Sequence, residues 1–403
     1  MSPAARYLLA WTLATLALLA MVAAFNLLVD PYDLFRVVYR EGFNRVKSNA
    51  GQRTLTFKRT NVDRMRPNTL ILGNSRAEIG FDPDSPAWPA ALRPVFNLAL
   101  PGSGPGSALD ELRRVQGTNA PRLVLAGLDF LDFRVDPSAQ IGDVTRPPKP
   151  DNALQHLRER TSAVLTIGAL VDSLSTLKAQ HDPYSTALTD AGFNPMRDYV
   201  RIARSEGYYA MFRQRNQENA RNYARGWKSV YLADGRPSPY FDAVAQIIAA
   251  ADSGRTAIRL VIYPYHANTL VLFHQSGLWP AFEAWKRELV KLVNNAPADA
   301  DVELWDFSGF LPYADERVPE PADRTTELRW YWEAGHFKKS LGDVLLARMF
   351  GASGEDAKWG SRLTPQNSDA HLLGLRVARD DYERTHPAEL AELTALIAAA
   401  TQK

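Results

Sequence analysis

Between Leu8 and Val29 the sequence LLAWTLATLALLAMVAAFNLLV carries no charge. As a helix this stretch is about 33 Å long, which matches a hydrocarbon core of about 30 Å. A segment of this kind near the start of a chain commits it to a membrane or to passage through one. Arg6 precedes the segment, and Asp30 and Asp33 follow it. The positive-inside rule therefore leaves the short N-terminus in the cytoplasm. A cleaved signal peptide is the rival reading. Its apolar region is normally shorter, and the one small-residue site, Val22-Ala23-Ala24, leaves apolar residues running on behind it. The expectation is one retained transmembrane helix over 1–30, with the rest of the chain on the outer side of a bacterial inner membrane, in the periplasm.

The chain has 403 residues, 46% of them hydrophobic and 23% charged, so a sizeable folded core is expected. Net charge is +2, with no basic block and no zinc-finger spacing, and nothing points to nucleic acid. Cysteine is absent, which excludes disulfides, thiol catalysis and thiolate-held metals. No ligand cluster suggests a metal, and no cofactor is expected.

Residues 31–66 are mixed and basic, with FKRTNVDRMRP near their end, and read as a juxtamembrane connector. Apolar strand-like runs then alternate with helix-like ones. The strands are expected at Asn68–Gly73, Val95–Leu100, Arg122–Phe130, Ala257–Pro264 and Val302–Phe307. A helix starting near an N-capping Ser107 is expected between the second and third. Strands of this apolar kind, interleaved with helices, predict an α/β domain over 67–350 with a mainly parallel sheet covered on both faces. The span 134–235 interrupts the rhythm. It opens on proline-rich RPPKP, continues with helical patterning and reads as a helical insertion beside the sheet. Residues 351–403 form a tail ending in an alanine- and leucine-rich helix.

In LILGNSRAEIGFDP, Leu70–Pro83, a buried strand runs straight into a small polar turn. Ser75 there reads either as a helix N-cap or as a nucleophile at the carboxyl end of a strand, where open α/β sheets bind ligands. It is not in a G-x-S-x-G elbow, because the fifth position is Ala77. A serine nucleophile needs a base and a group that orients the base. Of the seven histidines, His156 and His181 fall in the insertion, His371 and His386 in the tail, and His274 in a helical stretch. All five read as structural or solvated. His266, in YPYHANTL, ends the fourth strand on the same rim as Ser75 and is a candidate substrate contact. His336 follows Glu333 by three residues in WYWEAGHFKKSLGD. In a turn or helical start that spacing puts the two on one face, so Glu333 can hold the imidazole tautomer that serves as base. A surface Glu–His pair capping a helix is the alternative. Glycine-rich PGSGPGS, Pro101–Ser107, lacks the Lys-[Ser/Thr] pair of a phosphate loop and fits a tight turn carrying Gly102. Trp332, in the aromatic run Trp330–Trp332, suits a sugar-packing wall.

Taken in order, GNSR, then NLALPGSG, then GLDF, then EAGH resembles the SGNH (GDSL-like) hydrolase superfamily over roughly Asn68–Phe350, without the insertion. The resemblance implies a three-layer, flavodoxin-like α/β fold. It implies Ser75 as nucleophile and His336 as base, with Glu333 in place of the usual Asp. The oxyanion donors it implies are the N–H groups of Ser75 and Gly102. Asp129 stands where the family has an amide-bearing Asn, and an ionised carboxylate cannot donate. Arg76 is the residue available to supply positive charge. With its single anchor, the chain is similar to envelope proteins of teichoic-acid D-alanylation and alginate O-acetylation. Three readings follow: a serine esterase or O-acyltransferase acting on acyl esters of an envelope polysaccharide, a catalytically inactive polysaccharide-binding or assembly protein, or a partner of a membrane-bound acyltransferase.

Overall fold

The computed structural model describes every residue except 148–152, 252–254, 352–358 and 403. The end of the RPPKP run and the side chain of His156 lie outside the described residues. Along the chain, α1 (Pro3–Val29) and α2 (Thr54–Met65) precede β1 (Thr69–Leu72), α3 (Ser75–Gly80), β2 (Val95–Asn97), α4 (Pro105–Gln116) and β3 (Leu123–Leu128). Helices α5 (Ala153–Leu165), α6 (Ile167–Ala179), α7 (Arg197–Glu206), α8 (Tyr208–Arg225) and α9 (Tyr240–Ala249) lead to β4 (Ala257–Ile262). Then come α10 (Ala267–Gln275), α11 (Trp279–Asn294) and β5 (Val302–Asp306). The short strands β6 (Tyr331–Glu333) and β7 (His336–Phe337) precede α12 (Lys339–Met349), β8 (Ser361–Leu363), α13 (Ser368–Thr385) and α14 (Pro387–Thr401).

Contacts group the chain into two compact units. One comprises Met1–Asn61, Pro148–Asp190 and Asn194–Asp198; the other comprises Val62–Pro147, Ala191–Phe193 and Tyr199–Lys403. In the first, α1 is long and apolar enough to cross a membrane. Ser2 caps its start and Asp30 ends it in a left-handed turn. The Asp30 carboxylate then collects the N–H groups of Leu34, Phe35 and Arg36 at 2.8–2.9 Å, which turns the chain sharply off the helix.

The second unit holds a six-stranded sheet of order β2-β1-β3-β4-β5-β8. The first five strands are parallel, and β8 adds antiparallel to β5. Alternate side chains enter two separate cores, as the period of two requires. Leu70, Leu72, Val124, Ala126, Ile258 and Leu260 join α4, α9, α10 and α11 on one face. Ile71, Leu123, Leu125 and Val261 join α3, α8 and α12 on the other. Double coverage is why β1 reads as uninterrupted apolar sequence and is buried at all four positions. The chain passes from β1 to β2 on one side, then returns to β3 on the other. Strand order therefore reverses at β1, and the carboxyl ends of β1 and β3 flank a crevice of the kind that binds ligands in doubly wound sheets.

The five apolar runs are strands, with frayed ends; Val95–Leu100, for example, narrows to Val95–Asn97. Three local features differ from expectation. Helix α4 begins at Pro105 with Gly104 as its cap, not at Ser107, because proline's fixed φ and missing N–H suit the first helical position. Glu333 and His336 are cross-strand partners in a tight β6–β7 hairpin and not one helical face. The tail contributes β8 to the sheet, and α14 packs on α8 and α10. Helix α13 is tied to the end of β5 by His371 Nε2 on Asp306 Oδ2 at 2.8 Å, beside a buried Lys286–Asp306 pair at 2.7 Å.

Candidate active site

The turn between β1 and α3 explains the polar step in the sequence. Gly73 has φ +140°, and a Cβ there would stand 2.4 Å from the Tyr263 hydroxyl, so only glycine fits. Asn74 is the N-cap of α3. Its Oδ1 accepts from Arg76 N–H at 3.0 Å, and its carbonyl accepts from Ala77 and Glu78 N–H at 3.1 Å. Ser75 is thus the first helical residue and is not the cap. Its N–H has no acceptor among the described residues.

Three residues far apart in sequence meet here. Ser75 Oγ lies 2.9 Å from His336 Nε2. Nδ1 of the same ring is hydrogen-bonded to Glu333 Oε1. Glu333 Oε2 accepts from Gly335 N–H at 2.6 Å and from Arg215 Nε at 2.9 Å. Glu333 is buried, and burial alone pushes its carboxyl up. The imidazole of His336, the Arg215 guanidinium and the Gly335 N–H outweigh burial and hold it below the ordinary carboxylate range. The carboxylate therefore accepts at Nδ1, which fixes the tautomer whose Nε2 lone pair faces the serine hydroxyl.

Arg215 is a site residue that sequence reasoning missed. It lies in the middle of α8, far along the chain from the hairpin, and no spacing links it to Glu333. Replacing Arg215 with Gln removes a charge-assisted hydrogen bond, worth about 1.5–3 kcal/mol. The expected result is a loss of about tenfold in kcat/KM. The acid limb of the pH profile should also move to higher pH, because Glu333 loses a cation that favours its charged form. Arg215→Lys should restore the limb. A pH profile identical to wild type in Arg215→Gln would remove the residue from the site.

The other expected site residues are placed differently. The loop carrying Gly102 is drawn to the end of β1 by Leu100 N–H and Ser103 Oγ, both on the Gly73 carbonyl, at 2.9 and 3.3 Å. Gly102 has φ +71°, open space around it and an N–H with no acceptor among the described residues. Asp129 is buried and only accepts: from Tyr265 Oη at 2.9 Å, Asn74 Nδ2 at 3.1 Å and the Leu131 N–H at 3.2 Å. It also pairs with the Arg76 guanidinium. Arg76 is itself buried, and its Nε donates to the Gly335 carbonyl at 2.8 Å. Arg76 thereby joins the third-strand loop to the hairpin that carries the base, with its charge already matched. Nearby Asp132 is raised to about 6 by burial, against the pull of Arg76 and Asn74.

His266 is 2% exposed, and both ring nitrogens are engaged in the fold. Nδ1 accepts from Asn268 N–H at 3.1 Å, capping α10, and Nε2 donates to the Glu316 carbonyl at 2.9 Å. Burial lowers its pKa from 6.5 to about 4. The unfolded chain takes up this proton near pH 6.5 and the folded chain only near 4, so acid favours unfolding within that window. The expected loss is up to about 3 kcal/mol between pH 6.5 and 4. Urea midpoints measured across this range should fall more steeply for wild type than for His266→Gln. Trp332 lies half-buried beside Lys338, whose Nζ is 4.4 Å from its ring centre. Both line a cleft of about 600 Å³ with Tyr208, Arg204 and Arg324. Among the described residues no group of His, Asp and Glu could hold a metal ion.

The arrangement can do nucleophilic acyl chemistry: a hydroxyl, a base of fixed tautomer, an ionised group orienting that base, and the N–H groups of Ser75 at the start of α3 and of Gly102 in the loop after β2, neither with an acceptor among the described residues. Compared with protein-family models, curated proteins and solved structures, the chain matches none.

Proposed function

We propose that the chain is a membrane-anchored serine esterase or O-acyltransferase of the SGNH type, acting from the periplasmic face on acyl esters of an envelope polysaccharide. The observation that carries this reading is the contact of Ser75 Oγ with His336 Nε2 at 2.9 Å, with Glu333 on the ring's other nitrogen. The strand order β2-β1-β3-β4-β5 and the placement of Ser75, Gly102 and Asp129 after β1, β2 and β3 also support it. The polysaccharide rests on the sequence resemblance to anchored envelope proteins.

In this mechanism Ser75 Oγ attacks the ester carbonyl carbon while its proton passes to His336 Nε2. The N–H groups of Ser75 and Gly102 receive the developing oxyanion. Collapse of the tetrahedral adduct expels the alcohol, which takes the proton from the imidazolium, and leaves the acyl group on Ser75. Water or a sugar hydroxyl then attacks the acyl carbon as its proton passes to His336, and collapse of this second adduct breaks the bond to Ser75 Oγ, which takes that proton back from the imidazolium. Glu333 stays ionised throughout.

The test supplies the purified full-length chain with an acetylated envelope polysaccharide or a p-nitrophenyl ester. Acetate release, or its transfer to added polysaccharide, is the expected result; no turnover of any ester would oppose the reading. A second reading, a catalytically silent polysaccharide-binding protein on the same fold, has one observation in its favour. Asp129 sits in an acceptor-only role and leaves the oxyanion with two donors. Binding of the polysaccharide without turnover would favour it.

A further inference from the structure

Helices α5 and α6 of the first unit are built inside out. Their inward sides are small or polar, with Ala163, Ala169, Ser173 and Thr176 buried. From the end of α5 along α6 the outward positions include aliphatic ones: Leu165, Ile167, Val171 and Leu174 are 51%, 81%, 58% and 48% exposed. Ile167, Val171 and Leu174 recur at helical spacing as one stripe along α6, which exposed Lys178 ends. In water, leaving such side chains exposed forgoes the gain of burying them, and a water-facing helix would show the opposite pattern.

The pair is fixed against α1 by a buried polar residue. Asn26 Nδ2 donates to the Val164 carbonyl at 2.9 Å, and Ser173 Oγ donates to Asn26 Oδ1 at 2.8 Å. Asn26 is three residues, about 5 Å, from the end of α1. The two helices meet at 64°, and together they are apolar enough to pass for a broken span. Thr166 at the bend caps α6 by accepting from Ala169 N–H at 3.1 Å. The charged run Arg158–Arg160 lies further back on α5, so the pair can enter a bilayer and return but not cross it.

We propose that the bend between α5 and α6 is a second membrane-contacting element, which sinks Leu165, Ile167 and Val171 into the acyl chains of the outer leaflet beside α1. The occupant is lipid because the pair packs on the end of α1 around Asn26, beside an apolar α1 stretch that the fold leaves wholly exposed. The proposal rests on α1 being a membrane span.

A chain without cysteine makes the test clean. Leu13→Cys, Ile167→Cys, Val171→Cys and Lys178→Cys, each in the full-length chain, carry an environment-sensitive fluorophore. They are reconstituted into phosphatidylethanolamine–phosphatidylglycerol vesicles with or without brominated acyl chains. Brominated lipid should quench the labels at 13, 167 and 171 severalfold and leave 178 unchanged. Quenching at 13 with none at 167 and 171 overturns the proposal while leaving the anchor intact. No quenching at 13 overturns the anchor and the proposal with it. Labels at 167 and 171 that are wet in vesicles but shielded from thiol reagents in native membranes would assign the face to a protein partner and overturn the lipid assignment.

Discussion

Ser75→Ala and His336→Ala are each expected to lower ester turnover by about 10⁶-fold, with the double variant no worse than either single one. The non-additivity carries the information. Nε2 has a task only if the serine hydroxyl is there to give up its proton, and the hydroxyl is a weak nucleophile without the ring at 2.9 Å. Two unrelated structural lesions would multiply; two halves of one proton transfer do not. The measurement is single-turnover ester cleavage by the full-length chain, with circular dichroism to show that each variant is folded. Neither change should cost much stability, since Ser75 follows the cap without being it and His336 keeps part of its side chain at the surface.

Glu333→Gln is expected to lower kcat by about 10⁴-fold with little effect on KM. Gln is nearly isosteric, so the hairpin can keep its shape, but an amide cannot satisfy both sides of this site. If its NH₂ faces His336, it donates to Nδ1 and forces the proton to Nε2, the nitrogen that must be a base. If its NH₂ faces the other way, it confronts two donors, Gly335 N–H and Arg215 Nε, which the carboxylate now accepts at 2.6 and 2.9 Å. Either orientation costs catalysis, and the second also costs stability. Glu333→Ala leaves the Arg215 guanidinium facing an unpaired imidazole and should be at least as severe. Steady-state kinetics on the pair of variants separates an effect on kcat from one on binding.

Much of this site was legible in the sequence because the residues that carry it lie at strand ends. A four-residue apolar run followed by Gly-Asn-Ser marks both a buried parallel strand and the turn that ends it, and the observed β1 and α3 meet at that boundary. Glu333 and His336 were legible as a pair because they stand three positions apart. The reason for their meeting was not legible, since a two-residue hairpin and a helical turn both bring positions i and i+3 together. The capping role of Asn74 is ambiguous in the sequence, because Asn and the Ser beside it are both favoured caps. Arg215 left no trace: an arginine in a polar helix has no local pattern that reveals a partner on another element. The tail strand β8 was hidden for a related reason. Three residues, Ser361–Leu363, are too few to show a period, and their place is set by pairing with β5. The outward aliphatic stripe of α6 reads from sequence as an ordinary amphipathic helix, because sequence alone does not say which side faces in.

The central claim is that Ser75 is an activated nucleophile. Its most direct measurement is the intact mass and peptide map of the full-length chain after treatment with a fluorophosphonate. One covalent adduct on Ser75, absent from Ser75→Ala and from His336→Ala, is the expected result. A chain that binds an envelope polysaccharide yet stays unlabelled across the pH range, or that is labelled at another residue, would contradict the account.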